Sequence, residues 1–380
     1  MRPPPVSLAA ALAARRRLLG ALGIACLPGS PVASAAAPGT RRPRYRAIER
    51  GTPLRFPRDH GAHPDYRTEW WYATGWLGDS AGELGFQITF FRIRPATDPD
   101  NPSRFAPQQI ILAHAAISDP AERRLVHAER VARAGFGLVQ AREADTDVEL
   151  QDWRLAREAI GLPGGRYRAR IDAGRLRLAL DLKATQPLLL HGDAGYSQKG
   201  PLPRQASHYY TQPHLRVGGR IAHAGRERTV KGHAWLDHEW SSEILAPGAT
   251  GWDWTGINLD DGGALMAFRI RGDDGSVVWA GGTLRDRLGH TRAFGPDSVR
   301  MTPARHWRSA RTGARYPVAM QVRVGATEIA LEPLFDDQEL DARGATGIVY
   351  WEGAVRAIGP SGPVGRGYLE LTGYAGRLVL

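Results

Sequence analysis

Apolar and polar residues alternate with a period of two through most of this 380-residue chain, and Gly, Asp and Pro clusters cut the alternation into short runs. Thr68, Trp70, Tyr72, Thr74 and Trp76 would share one face of a strand, and Phe86, Ile88 and Phe90 one face of the next. Residues 175–183, 264–271, 318–324 and 367–373 read the same way. Gly78-Asp79-Ser80, Asp260-Asp261-Gly262-Gly263 and Asp273-Asp274-Gly275 are hairpin signals, because Gly enters positive φ freely and Asp bonds to its own turn. The 45 Gly and 27 Pro are scattered over the whole length, which argues against a helical bundle. The expected fold class is therefore all-β, built from antiparallel strands in barrels or sandwiches. With 42% hydrophobic residues the chain has the material for real cores, and its single Cys excludes a disulfide framework or a zinc ribbon.

The pattern occurs twice. Trp71-Tyr72-Ala73-Thr74-Gly75-Trp76 is echoed by Trp252-Asp253-Trp254-Thr255-Gly256-Ile257. Phe91-Arg92-Ile93-Arg94 then returns as Phe268-Arg269-Ile270-Arg271, and the segment from Ala113 to Asp119 loosely matches that from Ala280 to Asp286. Three echoes in one order imply two related β domains in tandem, expected over 54–231 and 232–380. The Pro/Asp/Asn-rich stretch 95–107 reads as a long loop.

The first 37 residues read as an export signal. Arg15-Arg16-Arg17 precede the apolar run from Leu18 to Leu27, Pro28-Gly29 break it, and Ala33-Ser34-Ala35 supplies small residues for cleavage. The triple arginine followed by Leu-Leu looks like a twin-arginine signal. The apolar run is about half of the ~20 residues that a spanning helix needs. Residues 38–53 would be a linker, and the mature protein would be periplasmic or secreted. The formal net charge of +11 is spread thinly. No aromatic platform follows the Arg41, Arg42, Arg44, Arg46 cluster, so nucleic acid is not an expected partner. Weak contact with anionic membrane surfaces is compatible with the charge.

Two segments concentrate chemistry: Thr68-Glu69-Trp70-Trp71-Tyr72, and Gly232-His233-Ala234-Trp235-Leu236-Asp237-His238-Glu239-Trp240 followed by Trp252-Asp253-Trp254. On an extended chain His233, Trp235, Asp237 and Glu239 project to one side, and Ala234, Leu236, His238 and Trp240 to the other. Three titratable groups beside an indole suit a face that lines a cavity. Asp253 falls on an apolar face with Ile257 and Leu259, where desolvation would hold its proton to higher pH, as a general acid requires. The indoles could stabilise a carbocation through their π faces. The alternative for Trp71 and Trp252 is to plug a barrel core, for His233 to be a satisfied core histidine, and for Glu69 to pair with an Arg of its own sheet. His233, Asp237, His238 and Glu239 are permissible metal ligands, but Asp237 and His238 would point apart on a strand, so no metal is expected. Serine-hydrolase, P-loop and dinucleotide signatures are missing, and no cofactor is implied. His208-Tyr209-Tyr210 could set polar aromatic tips at a pocket mouth.

These motifs resemble the AttH-like lipocalin family, which includes the carotenoid 1,2-hydratases. The segments that carry the resemblance run from His63-Pro64 through Glu69-Trp70-Trp71-Tyr72, then Ser207-His208-Tyr209-Tyr210, Gly232 to Trp240, and Trp252-Asp253-Trp254. The resemblance implies two consecutive lipocalin-like (calycin) antiparallel β-barrels. It also implies hydration of an isoprenoid double bond without a cofactor: a protein acid protonates the alkene and water captures the tertiary cation. His233 and Trp235 match the family's His-x-Trp pair. The family's downstream Tyr-x-Asp pair has no counterpart, and Asp253 is the nearest acid in an aromatic setting. The expected catalytic set is thus His233, Trp235 and Asp253. The expected ligand-binding set is Glu69, Trp70, Trp71, Tyr72, Tyr209, Tyr210, Asp237, His238, Glu239, Trp252 and Trp254. The expected partner is a hydrophobic small molecule, whether isoprenoid, carotenoid or lipid. A non-catalytic carrier of such a molecule and a pericyclase-like isomerase are the alternative readings.

Overall fold

A computed structural model describes residues 43–161, 164–344 and 346–377. The expected export signal, residues 1–37, and the linker up to residue 42 lie outside the described residues. The described chain is all-β apart from two single 3-10 turns. A first sheet opens with β1 (Thr68–Asp79), β2 (Gly82–Ile93), β3 (Ile110–Asp119) and β4 (Arg124–Arg133). It continues through β5 (Val139–Ala141), β6 (Asp147–Leu150), β7 (Trp153–Glu158), β8 (Arg166–Asp172) and β9 (Arg177–Lys183). The short β10 (Leu189–Leu190) and β11 (Tyr196–Gln198) lead into the long hairpin β12 (Ala206–His223) and β13 (Arg226–Ser241). The second sheet holds β14 (Ala249–Leu259), β15 (Ala264–Gly272), β16 (Val277–Arg285), β17 (Thr291–Phe294), β18 (Val299–Arg308) and β19 (Arg315–Val324). It ends with β20 (Thr327–Pro333), β21 (Glu339–Ala342), β22 (Ile348–Gly359) and β23 (Gly362–Thr372). Among the described residues all pairings are antiparallel, and no strand joins the two sheets.

The two sheets share a closing rule. In the first, β1 lies between β2 and the last strand β13; in the second, β14 lies between β15 and the last strand β23. The echoed segments thus occupy equivalent strands. Each sheet curls until its ends meet through side chains. Arg130 of β4 donates to the Asp172 carbonyl at 2.8 Å and lies over the Trp153 ring, and Arg269 of β15 donates to the Met301 carbonyl of β18 at 2.6 Å. These are two consecutive lipocalin-like barrels. The expected break after Lys231 falls inside β13, which pairs with β1 from Thr68 to Gly78, so the first barrel runs to Ser241. The hairpin turn at 224–225 had no counterpart among the signals that set that boundary. The stretch 95–107 carries no strand.

Each barrel has its own core. Trp71, Phe86, Ile88, Phe90, Trp153 and Tyr167 fill the first, and Tyr316, Val322, Leu331, Trp351 and Leu369 the second. A third apolar cluster lies between the barrels, where the outer faces of β1, β12 and β13 pack against those of β14, β15 and β23. Tyr72, Trp76, Tyr209 and Trp235 meet Trp254, Met266, Phe268 and Tyr368 there. This explains the unbroken burial along Trp71–Leu77 and Ala234–Ser241: both faces of these strands are covered. Trp76 Nε1 donates to the Gly367 carbonyl at 3.0 Å and Asn258 Nδ2 to the Ala234 carbonyl at 3.1 Å, which fixes the seam. The echoed glycines permit these close approaches. A Cβ on Gly256 would lie 2.7 Å from the Trp235 ring, and one on Gly75 2.4 Å from the His233 carbonyl.

Candidate functional site between the barrels

Strand register builds a cavity in this seam. On the first barrel, Trp70 and Tyr72 of β1 stand opposite Glu239 and Asp237 of β13, with Tyr209 and Thr211 next to them on β12. On the second, Trp252 and Trp254 of β14, Phe268 and Ile270 of β15, Tyr350 and Glu352 of β22 and Glu370 of β23 face them. The cavity volume is about 40 Å³, and the space opens to solvent at its mouth. Its wall is mainly aromatic, with a few convergent polar groups, as ligand sites commonly are. The half-buried Trp70 and Trp252 rings lie nearly parallel, 10° apart in plane with centroids 6.5 Å apart. Each offers a flat face to a conjugated or unsaturated group. A Trp252→Ala variant is expected to weaken binding of a conjugated probe such as retinol about tenfold, the loss of one stacking partner. Quenching of the remaining tryptophan fluorescence measures it.

Asp237 is the best-defined acid of the cavity. Trp235 Nε1 donates to its Oδ1 at 2.7 Å, the Tyr209 hydroxyl to Oδ2 at 2.9 Å, and the Thr211 hydroxyl to Oδ1. Trp254 Nε1 in turn donates to the Tyr209 oxygen at 2.9 Å. His191 Nε2 lies 2.6 Å from Thr211 Oγ1, and because the Thr211 hydroxyl hydrogen goes to Asp237, Nε2 is the donor; burial holds this imidazole well below its usual pKa. Burial also pushes the Asp237 carboxyl up to about 7, against the three donors that favour its charged form. The result is an acid that holds its proton toward neutrality, with a carboxylate cradle already in place. Beside it Lys199 Nζ lies 2.9 Å from Glu239 Oε1 and 4.0 Å from the Phe268 ring centroid, so that acid is charge-paired.

The second barrel supplies two more carboxyls. Glu352 and Glu370 are direct cross-strand partners on β22 and β23, and Glu370 is also opposite Trp254. Burial raises both, Glu370 to about 8 and Glu352 well above the carboxylate range, with each other's charge as the next cause for Glu352. Like charges this close in a dry wall oppose joint ionisation. The Tyr72 and Tyr350 phenols pull Glu352 back down in part.

The expected residues divide among four places. Trp70, Tyr72, Tyr209, Asp237, Glu239, Trp252 and Trp254 line the cavity, and Trp235 orients Asp237 from behind. His233 is exposed and borders a separate cleft with Trp76, Lys231 and Asn258. Asp253 is fully buried inside the second barrel, not in the cavity. Arg269 Nε reaches its Oδ2 at 2.6 Å, Arg271 Nε its Oδ1 at 3.0 Å, and the Tyr374 hydroxyl donates at 3.0 Å. Two guanidiniums neutralise it, so Asp253 is a structural ion, and the expected meeting of His233 with Asp253 does not occur.

Glu69, Trp71, Tyr210 and His238 lie at one end of the first barrel, on the other face of β1, β12 and β13. Glu69 Oε1 accepts from His63 Nδ1 at 2.7 Å and His238 Nε2 at 2.9 Å; Oε2 accepts from Arg92 Nε at 2.6 Å and the His63 amide at 2.8 Å. His60 Nδ1 is 2.7 Å and His238 Nδ1 3.0 Å from the Tyr210 hydroxyl. Burial lowers His60 to about 2 and His238 to about 4, so both rings are neutral and the phenol relays between them. His63 stacks on Trp240 with centroids 3.7 Å apart. Ligand atoms of His63, Glu69 and His238 converge within 4.8 Å, which is metal-like spacing. The Arg92 guanidinium against the same carboxylate places a fixed positive charge where a cation would bind. The cluster is an ionic lock that ties the segment before β1 to the barrel.

Lys199, Thr211, His191, Tyr350, Glu352 and Glu370 were not anticipated. A signal existed for the last three: Tyr350-Trp351-Glu352 and Tyr368-Leu369-Glu370 each put a phenol and a carboxyl on one face of an apolar strand.

A family model described as AttH-like matches residues 47–374. The crystal structure of NE1406 from Nitrosomonas europaea, a candidate AttH, is 55% identical, covers 87% of this chain and 99% of its own, and superposes with a TM-score of 0.80. Kievitone hydratase from Nectria haematococca is 16% identical with a TM-score of 0.62, over 89% of this chain and 98% of its own, a likeness of fold. No curated protein matches the sequence. The chain belongs to the AttH-like family.

Proposed function

We propose that this protein is a hydratase that protonates a carbon–carbon double bond of an isoprenoid-like substrate held between its barrels. Asp237 gives its proton to one alkene carbon and leaves a tertiary cation on the other. Tyr209, Thr211 and Trp235 already point donors at the resulting carboxylate, so its charge is stabilised as it forms. The faces of Trp252, Trp254 and Tyr209 shield the cation. Water adds to the cation and returns one proton to Asp237, so alkene plus water gives the alcohol and the acid is regenerated. The observation that carries this reading is the buried Asp237 carboxyl, held near 7, on an aromatic cavity wall. The same fold carries a hydratase in kievitone hydratase. The Arg15-Arg16-Arg17 signal pattern supports a site of action outside the cytoplasm.

Incubation with lycopene and with a short prenyl alkene in isotopically labelled water tests it. Label is expected in the product alcohol. Tight binding with no label in any product would reject hydration and leave a carrier.

A further inference from the structure

The cavity is lined by more hydrogen-bonding groups than a hydrocarbon can use. Glu352 is 1% exposed, and its Oε1 has no hydrogen-bond partner; the Tyr72 hydroxyl, 5% exposed as a residue, has none either. Both belong to the cavity wall, where the Tyr72 and Tyr350 phenols lie close enough to Glu352 to favour its charged form in part. Glu370 sits directly across from Glu352, and Tyr350 on the same strand is committed to His114 Nδ1 at 2.8 Å. Asp237, by contrast, has both oxygens engaged, by Tyr209, Thr211 and Trp235. The unmatched polar groups therefore collect on one side of the cavity, the wall shared by β22, β23 and Tyr72. Leaving a buried polar atom unmatched costs about 1–3 kcal/mol, so a bare polyene would bind against that wall at a penalty.

We propose that the natural ligand is an oxygenated molecule whose carbonyl or hydroxyl oxygen accepts hydrogen bonds from the Glu352–Glu370 wall and Tyr72, while its unsaturated body lies between Trp70 and Trp252. This rests on the reading of the interbarrel cavity as the substrate site and names the chemical class that enters it. A protonated carboxyl is the donor this class requires, and burial favours the protonated form of both glutamates. Asp237 and Glu239 face Glu370 across the cavity, and their charges favour its protonated form further. With the oxygen anchored at β22 and β23, the alkene is carried toward Asp237 on the opposite wall. The wall then selects as well as orients. A site with committed donors rejects an analogue that lacks the acceptor, because its own groups are left unpaired.

The test is a comparison of two probes on the full chain: β-ionone, a conjugated ketone, and the hydrocarbon of the same carbon skeleton with CH2 in place of the carbonyl. Affinities come from tryptophan quenching, and the carbonyl stretch of isotopically labelled ketone from infrared difference spectra. Wild type is expected to bind the ketone at least about tenfold tighter and to shift its carbonyl stretch to lower wavenumber. Glu352→Leu is expected to remove at least about tenfold of that preference and to tighten the hydrocarbon. Glu352→Gln, which keeps an N–H donor and the side-chain shape, is expected to retain the preference; it also serves if the Leu variant fails to fold. Equal affinity for the two probes in wild type, a preference that survives Glu352→Leu and Glu370→Leu alike, or binding of neither probe would overturn the assignment. Ketone-selective binding without turnover of any alkene would sustain this inference and reject the catalytic one.

Discussion

Asp237→Asn is expected to lower hydration by about 10²–10⁴-fold, the usual contribution of a positioned acid, and at the same time to remove a pH-dependent weakness of the fold. The two effects have one cause. The folded protein holds the Asp237 proton to about 7, whereas the unfolded chain releases it near the ordinary value of 3.8. Between these values unfolding releases a proton, so this group's contribution makes stability fall as pH rises from about 4 to about 7 and then level off. The full deficit is on the order of a few kcal/mol. An amide cannot ionise, so the variant loses that slope. It also gives up part of the acceptor capacity that Tyr209, Thr211 and Trp235 use, at about 1 kcal/mol per bond. The diagnostic is therefore the shape of the curve. The stability difference between variant and wild type should move in the variant's favour across pH 4–7 and stay constant above. Turnover by wild type should fall as pH rises through about 7, as the acid form disappears. Urea unfolding at several pH values and a rate profile on a prenyl alkene measure both. An Asp237→Asn protein with wild-type turnover, or with an unchanged stability slope, would remove Asp237 from the mechanism.

The face of β13 that carries Asp237 was readable from alternation. His233, Trp235, Asp237 and Glu239 were placed on one face and His238 on the other, and pairing with β1 puts them there. The tandem barrels were readable too, because the echoed segments became equivalent strands with the same neighbours. What alternation cannot carry is the identity of what stands across a gap. It placed Asp253 on an inward, apolar face, and the side chain does point inward. Its partners Arg269 and Arg271 come from β15, where Arg269 is its register partner, and they turn a presumed acid into a paired ion. His233 lies on the cavity face but beyond the cavity, where the seam opens to solvent. The cavity lies outside both barrel interiors, between their outer faces. Glu352 and Glu370 of its second wall come more than a hundred positions after Asp237, so they are its neighbours only once both barrels have closed and packed.

The other large effect belongs to stability. Glu69→Gln is expected to cost about 3–5 kcal/mol, because it leaves the Arg92 guanidinium and the His63 imidazolium buried without their shared counter-ion. A Gln side chain also presents an N–H where Glu69 now accepts from four donors, His63 twice, His238 and Arg92. The pH dependence identifies the cause. Burial opposes ionisation of Glu69, but Arg92 and His63 outweigh it and hold the carboxyl well below its usual value of 4.5. Its stabilisation is thus complete above about 4.5 and is lost as pH falls through the lower folded value. His63 is shifted the opposite way: burial opposes its charged form, yet Glu69 and Asp59 raise it above 6.5. Its share is complete below about 6.5 and is lost as pH rises through the raised value. The gap between wild type and Glu69→Gln should therefore be widest from about pH 4.5 to 6.5 and narrow on both sides. Burial keeps His60 and His238 neutral, and since they titrate far below 6.5 in the folded chain they weaken it as pH falls below 6.5. The His60 penalty acts on the acid side in both proteins and cancels from the difference, whereas Glu69 helps to raise His238, so that ring is lowered further in the variant. Urea midpoints across this range, at an unchanged denaturant slope, measure the gap. A gap that is flat with pH would mean that the lock works by packing against Trp71 and Trp240 rather than by charge.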